Sequence, residues 1–160
     1  MIYVIHSFVF AIVLLFQSIF PVINFQSFKI TPDFLLIILT FYSLRNNRFY
    51  CVIIGFLIGS LQDFLSQIDL IGAFAFIKSF AGFILGSLNE YLSFLSRKLI
   101  FGFIFLIYVI HFSIFYFFRF NNVIIDLFLL SKIILINSVI NFLIFILVDK
   151  ILFNSLLIKE

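Results

Sequence analysis

The residues of this sequence that could do chemistry are a few ionisable side chains inside long apolar stretches. Asp63 and Lys78 stand in two neighbouring stretches, and His6 and His111 are the two histidines of the chain. An ionisable group at membrane depth is costly, and such groups form proton or ligand sites or pair with one another. We favour a buried pair of Asp63 with Lys78 that fixes helix register over a proton or ligand site, because no series of such groups forms a path.

The sequence lacks the motifs of the common enzyme and metal-binding classes. It has no Ser-His-Asp order, no phosphate-binding loop and no His-Glu-x-x-His segment. The single cysteine, Cys51, has no disulfide partner, and two distant histidines do not indicate a metal site. No basic cluster indicates nucleic-acid binding. We therefore predict a protein that is not an enzyme, with no catalytic, cofactor-binding or metal-binding residue.

Two similar segments carry closely spaced glycines. The first is Gly55-Phe-Leu-Ile-Gly59-Ser-Leu-Gln-Asp63, and the second is Gly82-Phe-Ile-Leu-Gly86-Ser-Leu-Asn-Glu90. The Gly-x-x-x-Gly spacing removes two side chains from one helix face and lets another backbone approach closely. Both segments therefore predict helix-packing or partner-binding surfaces. Their similarity is also compatible with composition alone or with an internal duplication.

The composition indicates an integral membrane protein that the apolar runs divide into six spans. Hydrophobic residues make up 65% of the 160 residues and charged residues 11%, whereas a soluble domain has about 25% charged residues. Since a helix needs about 20 residues to cross a bilayer, we predict one all-α membrane domain over residues 1–160, a bundle of six transmembrane helices with short loops. The predicted spans are 2–25, 31–44, 49–66, 71–95, 99–118 and 131–149, with an interfacial piece at 123–130.

Local polar residues predict how the spans begin, how they are oriented and what they contact. Thr31 can cap the second span, Pro32 fits its first helical position, and Asp33 favours the positive end of the helix dipole. Gln17, Asn137 and Asn141 are expected to form interhelical hydrogen bonds. Glu90 is expected to lie beside Arg97 and Lys98.

The positive-inside rule favours cytoplasmic N- and C-termini, because that orientation places Arg45, Arg48, Arg97, Lys98, Lys150 and Lys159 inside, against Lys29, Arg119 and Lys132 outside.

The middle of the chain resembles the rod shape-determining protein MreD family. The resemblance covers about residues 31–90 and includes Pro32-Asp33 followed by leucines, a basic turn and the segment from Gly55 to Asp63. It continues with the helix start Leu70-Ile71-Gly72-Ala73-x-Ala75, which adds Gly72 to the expected interface residues. Ser60 and Lys78 depart from the family pattern.

The resemblance implies a non-enzymatic subunit of the bacterial cell-elongation machinery in the inner (cytoplasmic) membrane. It implies binding to MreC, proximity to MreB, RodA and a class B penicillin-binding transpeptidase, and a part in organising peptidoglycan synthesis and cell shape. Membrane lipid is a further expected partner, nucleic acid is not, and a homodimer is left open. The family's fold is also similar to the S components of energy-coupling-factor transporters, so a vitamin-binding S component is the alternative. Such a component would need an outward pocket lined by several polar side chains, and the predicted outer loops are short.

Overall fold

The computed structural model describes most of the chain from Pro32 onward. The described residues are 13, 17, 23–25, 28–30, 32–66, 72–120 and 126–153. Thr31, His6 and most of the predicted span 2–25 lie outside them. The elements are β1 (Ile23–Phe25), β2 (Phe28–Ile30), α1 (Phe34–Ser43), α2 (Arg48–Ser66), α3 (Ala73–Asn89), α4 (Arg97–Arg119) and α5 (Leu127–Val148), followed by a π-helical turn (Asp149–Phe153).

The prediction of a helical membrane protein is confirmed. Within the described residues, three helical stretches are long and apolar enough to cross a membrane, namely Arg48–Leu65, Arg97–Arg119 and Leu127–Ile151. The helices Phe34–Ser43 and Ala73–Asn89 are apolar but shorter. One unpredicted feature is the antiparallel pairing of β1 with β2, which sets Asn24 opposite Lys29.

The predicted division between an interfacial piece, 123–130, and a span beginning at Ser131 is wrong within the described residues. One helix runs without a break from Leu127 to Val148. It begins there because the Asp126 carboxylate accepts a hydrogen bond from the backbone N–H of Phe128 at 3.2 Å, which satisfies one of the orphan donors of the first turn. Ser131 and Lys132 lie exposed on the surface of this helix.

The short helix α1 lies at the centre of the packing. It contacts α2, α3 and α5, while α3 packs against α2 and α4, and α4 packs against α5. Leu35, Leu36 and Leu39 of α1 have no exposed surface. The core around α1 includes Leu85 of α3, Ile104 and Tyr108 of α4, and Phe145 of α5. A helix this buried places the residue at its start, Asp33, among side chains from several other helices.

Candidate functional site

The carboxylate of Asp33 is the centre of a cluster of buried ionisable side chains. Asp33 Oδ1 accepts a hydrogen bond from the backbone N–H of Leu36 at 3.0 Å, which caps α1. Asp33 Oδ2 forms an ion pair with Lys78 Nζ of α3 and faces His111 Nε2 of α4 at 3.4 Å. Asp33, Lys78 and His111 are only 4%, 0% and 2% exposed. We call these three residues the Asp33 cluster, and they connect the start of α1 to two other helices.

The predicted pairing of Asp63 with Lys78 is wrong, because each residue has a different partner. Lys78 pairs with Asp33, and the two Asp63 oxygens accept hydrogen bonds from the backbone N–H groups of Phe74 and Ala75, each at 3.0 Å. The first N–H groups of a helix have no acceptor within it. Gly72 precedes α3 with φ +95° and makes no side-chain capping bond, so Asp63 of α2 caps α3 from outside.

Side-chain amides hold the chain segment that leads into α1. Gln17 donates to the carbonyl of Pro32 at 3.0 Å and accepts from the N–H of Phe34 at 2.8 Å. Asn141 of α5 accepts from the N–H of Asp33 at 2.8 Å. The expected interhelical bond is confirmed for Asn141, which joins α5 to the start of α1, while Gln17 bonds to the chain at the start of α1. The expected helix start is corrected, because Asp33 is the capping residue and Pro32 precedes it.

Two further polar contacts tie α4 to its neighbours in the core. Tyr108 Oη lies 3.0 Å from Thr40 Oγ1 of α1, and Asn137 of α5 donates to Tyr116 Oη at 2.9 Å. The bond made by Asn137 is confirmed as interhelical. Thr40, Tyr108 and Tyr116 do not stand out in the sequence, because hydroxyl-bearing residues are ordinary in apolar helices and nothing local marks their partners.

The four glycines of the repeated segments lie along the contact between α2 and α3. A Cβ atom added at any of them would meet backbone of the other helix. At Gly59 it would lie 2.5 Å from Ala75 Cα, and at Gly86 2.6 Å from Arg48 Cα. Gly82 would meet Cys51 O at 2.5 Å, and Gly55 would meet Lys78 C at 2.8 Å. Within the described structure these glycines serve the packing of the chain's own antiparallel helix pair.

The charged residues near the opposite ends of α2 and α3 form exposed contacts. Arg48 Nε lies 3.4 Å from Glu90 Oε1, with both side chains about half exposed. The expected position of Glu90 as the partner of Arg97 and Lys98 is therefore corrected, since Arg97 instead faces Asp149 at 3.7 Å. The cause is the antiparallel pairing, which brings the start of α2 beside the end of α3.

These features define a helical membrane protein whose buried charged and amide side chains join its helices to one another. The chain matches the family of the rod shape-determining protein MreD over residues 1–156, and it belongs to that family. The resemblance seen at residues 31–90 thus extends over almost the whole chain. Comparison with curated proteins and with solved structures found no match. The alternative of a vitamin-binding S component is not favoured by the family match.

Proposed function

We propose that this protein is a non-enzymatic scaffold subunit of the cell-elongation machinery, which binds MreC in the inner membrane and helps to organise peptidoglycan synthesis. Membership of the MreD family over residues 1–156 carries this proposal. The described structure is compatible with a scaffold, because its buried polar groups bond mainly across helix contacts. Asp33 connects α1 to α3, α4 and α5 through Lys78, His111 and Asn141. MreB, RodA and a class B penicillin-binding transpeptidase are the further proposed neighbours, and membrane lipid surrounds the exposed apolar faces.

Recovery of MreC from native membranes tests this function. An affinity-tagged copy that replaces the chromosomal gene should keep cells rod-shaped and should co-purify MreC after mild detergent extraction. Phe117→Leu is the control for nonspecific loss of MreC. This variant should recover as much MreC as the unchanged protein, because Phe117 is 67% exposed and the change keeps an apolar surface. Rod-shaped growth without the protein, together with absence of MreC from the purified sample, would refute the proposal.

We also propose that residues 1–160 form one domain of six spans with both termini in the cytoplasm. The antiparallel contact of α2 with α3 supports two consecutive crossings in opposite directions. In this topology the Arg48–Glu90 contact lies at the cytoplasmic surface, since it follows the basic turn at Arg45. The Asp33 cluster then lies in the outer half of the membrane. Lys78 is five residues beyond the start of α3, a depth of about 8 Å at 1.5 Å per residue.

Reporter fusions give a direct test of this orientation. A fusion after Asn47 should report the cytoplasm, and a fusion after Asp69 should report the outer side, because α2 separates the two points. A thiol reagent that cannot cross membranes should also label a cysteine introduced at Asn47 only in opened cells, in a Cys51→Ala background. The same sidedness for both fusions would remove α2 as a crossing helix and with it the six-span topology.

A further inference from the structure

A small cavity lies beside the Asp33 cluster. Its volume is about 30 Å³, and a bound water needs about 10–15 Å³ by this measure, so the space suits a guest of water size. Its polar lining comes from Gln17, Asp33, Gln62, His111 and Tyr116, and three phenylalanine rings supply the remainder. The cavity thus lies where the start of α1 and the ends of α2 and α4 meet.

Two buried atoms of the cavity lining have no hydrogen-bond partner among the residues that the structure describes. They are Gln62 Oε1 of α2 and His111 Nδ1 of α4, on residues that are only 8% and 2% exposed. A buried polar atom without a partner is costly, and the large majority of buried polar groups in native proteins are bonded to protein or to ordered water. Since both line the same small cavity, one guest can satisfy both.

The chemistry of the two atoms specifies the guest as a hydrogen-bond donor. Gln62 Oε1 is an amide oxygen and accepts only. His111 Nε2 faces the Asp33 carboxylate at 3.4 Å, and a carboxylate is an acceptor, so the imidazole hydrogen belongs on Nε2. Neutral His111 then presents a bare, accepting Nδ1. The Lys78 ammonium group, which pairs with the same carboxylate, opposes a second proton on the ring.

We propose that this cavity binds a water-sized hydrogen-bond donor that bridges Gln62 Oε1 and His111 Nδ1. Water and the ammonium ion share this chemistry. Ammonium suits the local charge, because two buried carboxylates lie near the ammonium group of Lys78: Asp33 pairs with it, and Asp63 binds the N–H groups of Phe74 and Ala75 on the same helix. The guest links α2 to α4 across the first turn of α3 and does so independently of any partner protein.

Magnetic resonance on a single-histidine protein tests the site. His6→Gln leaves His111 as the remaining histidine, and the variant is labelled with ¹⁵N-histidine and reconstituted in lipid bilayers. At pH 7, His111 should show the neutral form with hydrogen on Nε2 and should show a cross peak from the guest protons. A peak in sodium chloride alone identifies water, and one that requires ammonium chloride identifies ammonium.

Variants of the lining separate a bridging guest from general hydration. Gln62→Leu should abolish the guest cross peak, while Ser113→Ala should retain it. Ser113 lies on α4 like His111, but it bonds to Val109 O of its own helix at 2.7 Å. A doubly protonated His111 in the parent spectrum, the lack of any guest peak, or an unchanged peak in Gln62→Leu would each overturn the proposal. The parent spectrum decides the tautomer even if the Gln62 variant does not fold.

Discussion

Removing either charge of the Asp33–Lys78 pair is expected to destabilise the protein severely, and removing both is expected to restore much of the loss. Lys78→Met leaves the Asp33 carboxylate buried with neutral His111, and Asp33→Asn leaves the Lys78 ammonium group without its carboxylate. Breaking a buried pair by removing one partner costs about 3–5 kcal/mol, whereas replacement of both by neutral groups is often tolerated. The D33N/K78M variant should therefore be more stable than either single variant.

Asp33→Asn is the appropriate substitution because Asp33 has a second role. Its Oδ1 caps α1 through the N–H of Leu36, and an asparagine can keep that bond, whereas Asp33→Leu would add a capping loss of about 1 kcal/mol. Thermal unfolding in one detergent, together with abundance in the membrane, measures the effect. The control is Arg48→Gln, which breaks a half-exposed ion pair with Glu90 and should cost at most about 1 kcal/mol.

Two other results would contradict a structural pair. Single variants as stable as Arg48→Gln would show that the pair contributes little to folding. The double variant could instead regain the stability that each single variant loses, and be abundant, yet fail to support rod shape. That result would assign the Asp33 cluster to contact with a partner or ligand.

The sequence predicts the membrane class and the long helices because their signal is local. The apolar runs at 49–66 and 99–118 are close to the observed bounds Arg48–Ser66 and Arg97–Arg119. A run of apolar residues between polar turns is sufficient to indicate a membrane helix. The predicted break before Ser131 is wrong because it follows only from the run 123–153 being too long for one crossing. The length of a run does not show where a helix begins, and the capping role of Asp126 is visible only in the folded helix.

Which polar side chains pair with one another cannot be predicted from the sequence. The position of a residue along its span gives its depth in the membrane, but not which neighbouring helix its side chain faces. Asp63 and Lys78 both lie near one short turn, which favours a contact between them, but Asp33 is 45 residues from Lys78 and makes the contact. Asp63 instead serves the helix on which Lys78 lies, through the N–H groups of Phe74 and Ala75. Which faces of α1, α3 and α4 meet is decided by the packing of the whole bundle.

The glycine segments show the same division between local and long-range information. The spacing predicts a face where a backbone can approach, but it does not identify the neighbour. In the structure, each glycine faces a non-glycine position of the other helix: Gly59 faces Ala75, Gly55 faces Lys78, Gly82 faces Cys51 and Gly86 faces Arg48. Because the helices are antiparallel, the four contacts fall at successive levels. Together they extend the close approach along most of the α2–α3 contact.

Adding one methyl group at this contact is the second change expected to have a large effect. In Gly59→Ala the new Cβ would lie 2.5 Å from Ala75 Cα, and because the obstacle is backbone, the two helices must move apart. Overpacking of this kind typically costs about 1–3 kcal/mol, and Gly59→Leu should be worse. The displacement would also pull the Asp63 carboxylate, one turn further along α2, away from the N–H groups that it caps.

Gly102→Ala on α4 is the matched control for Gly59→Ala. It is also a helical glycine, but a Cβ there would have no atom within 4 Å apart from the adjacent backbone of its own helix, and alanine favours a helix over glycine by up to about 1 kcal/mol. In the same detergent, the unfolding temperature of Gly59→Ala should therefore fall, whereas that of Gly102→Ala should rise or stay unchanged. Equal stability of the two variants would mean that α2 and α3 do not approach as closely as described. A Gly59→Ala protein that stays stable but no longer recovers MreC would place this face at the partner rather than within the chain's own helix pair.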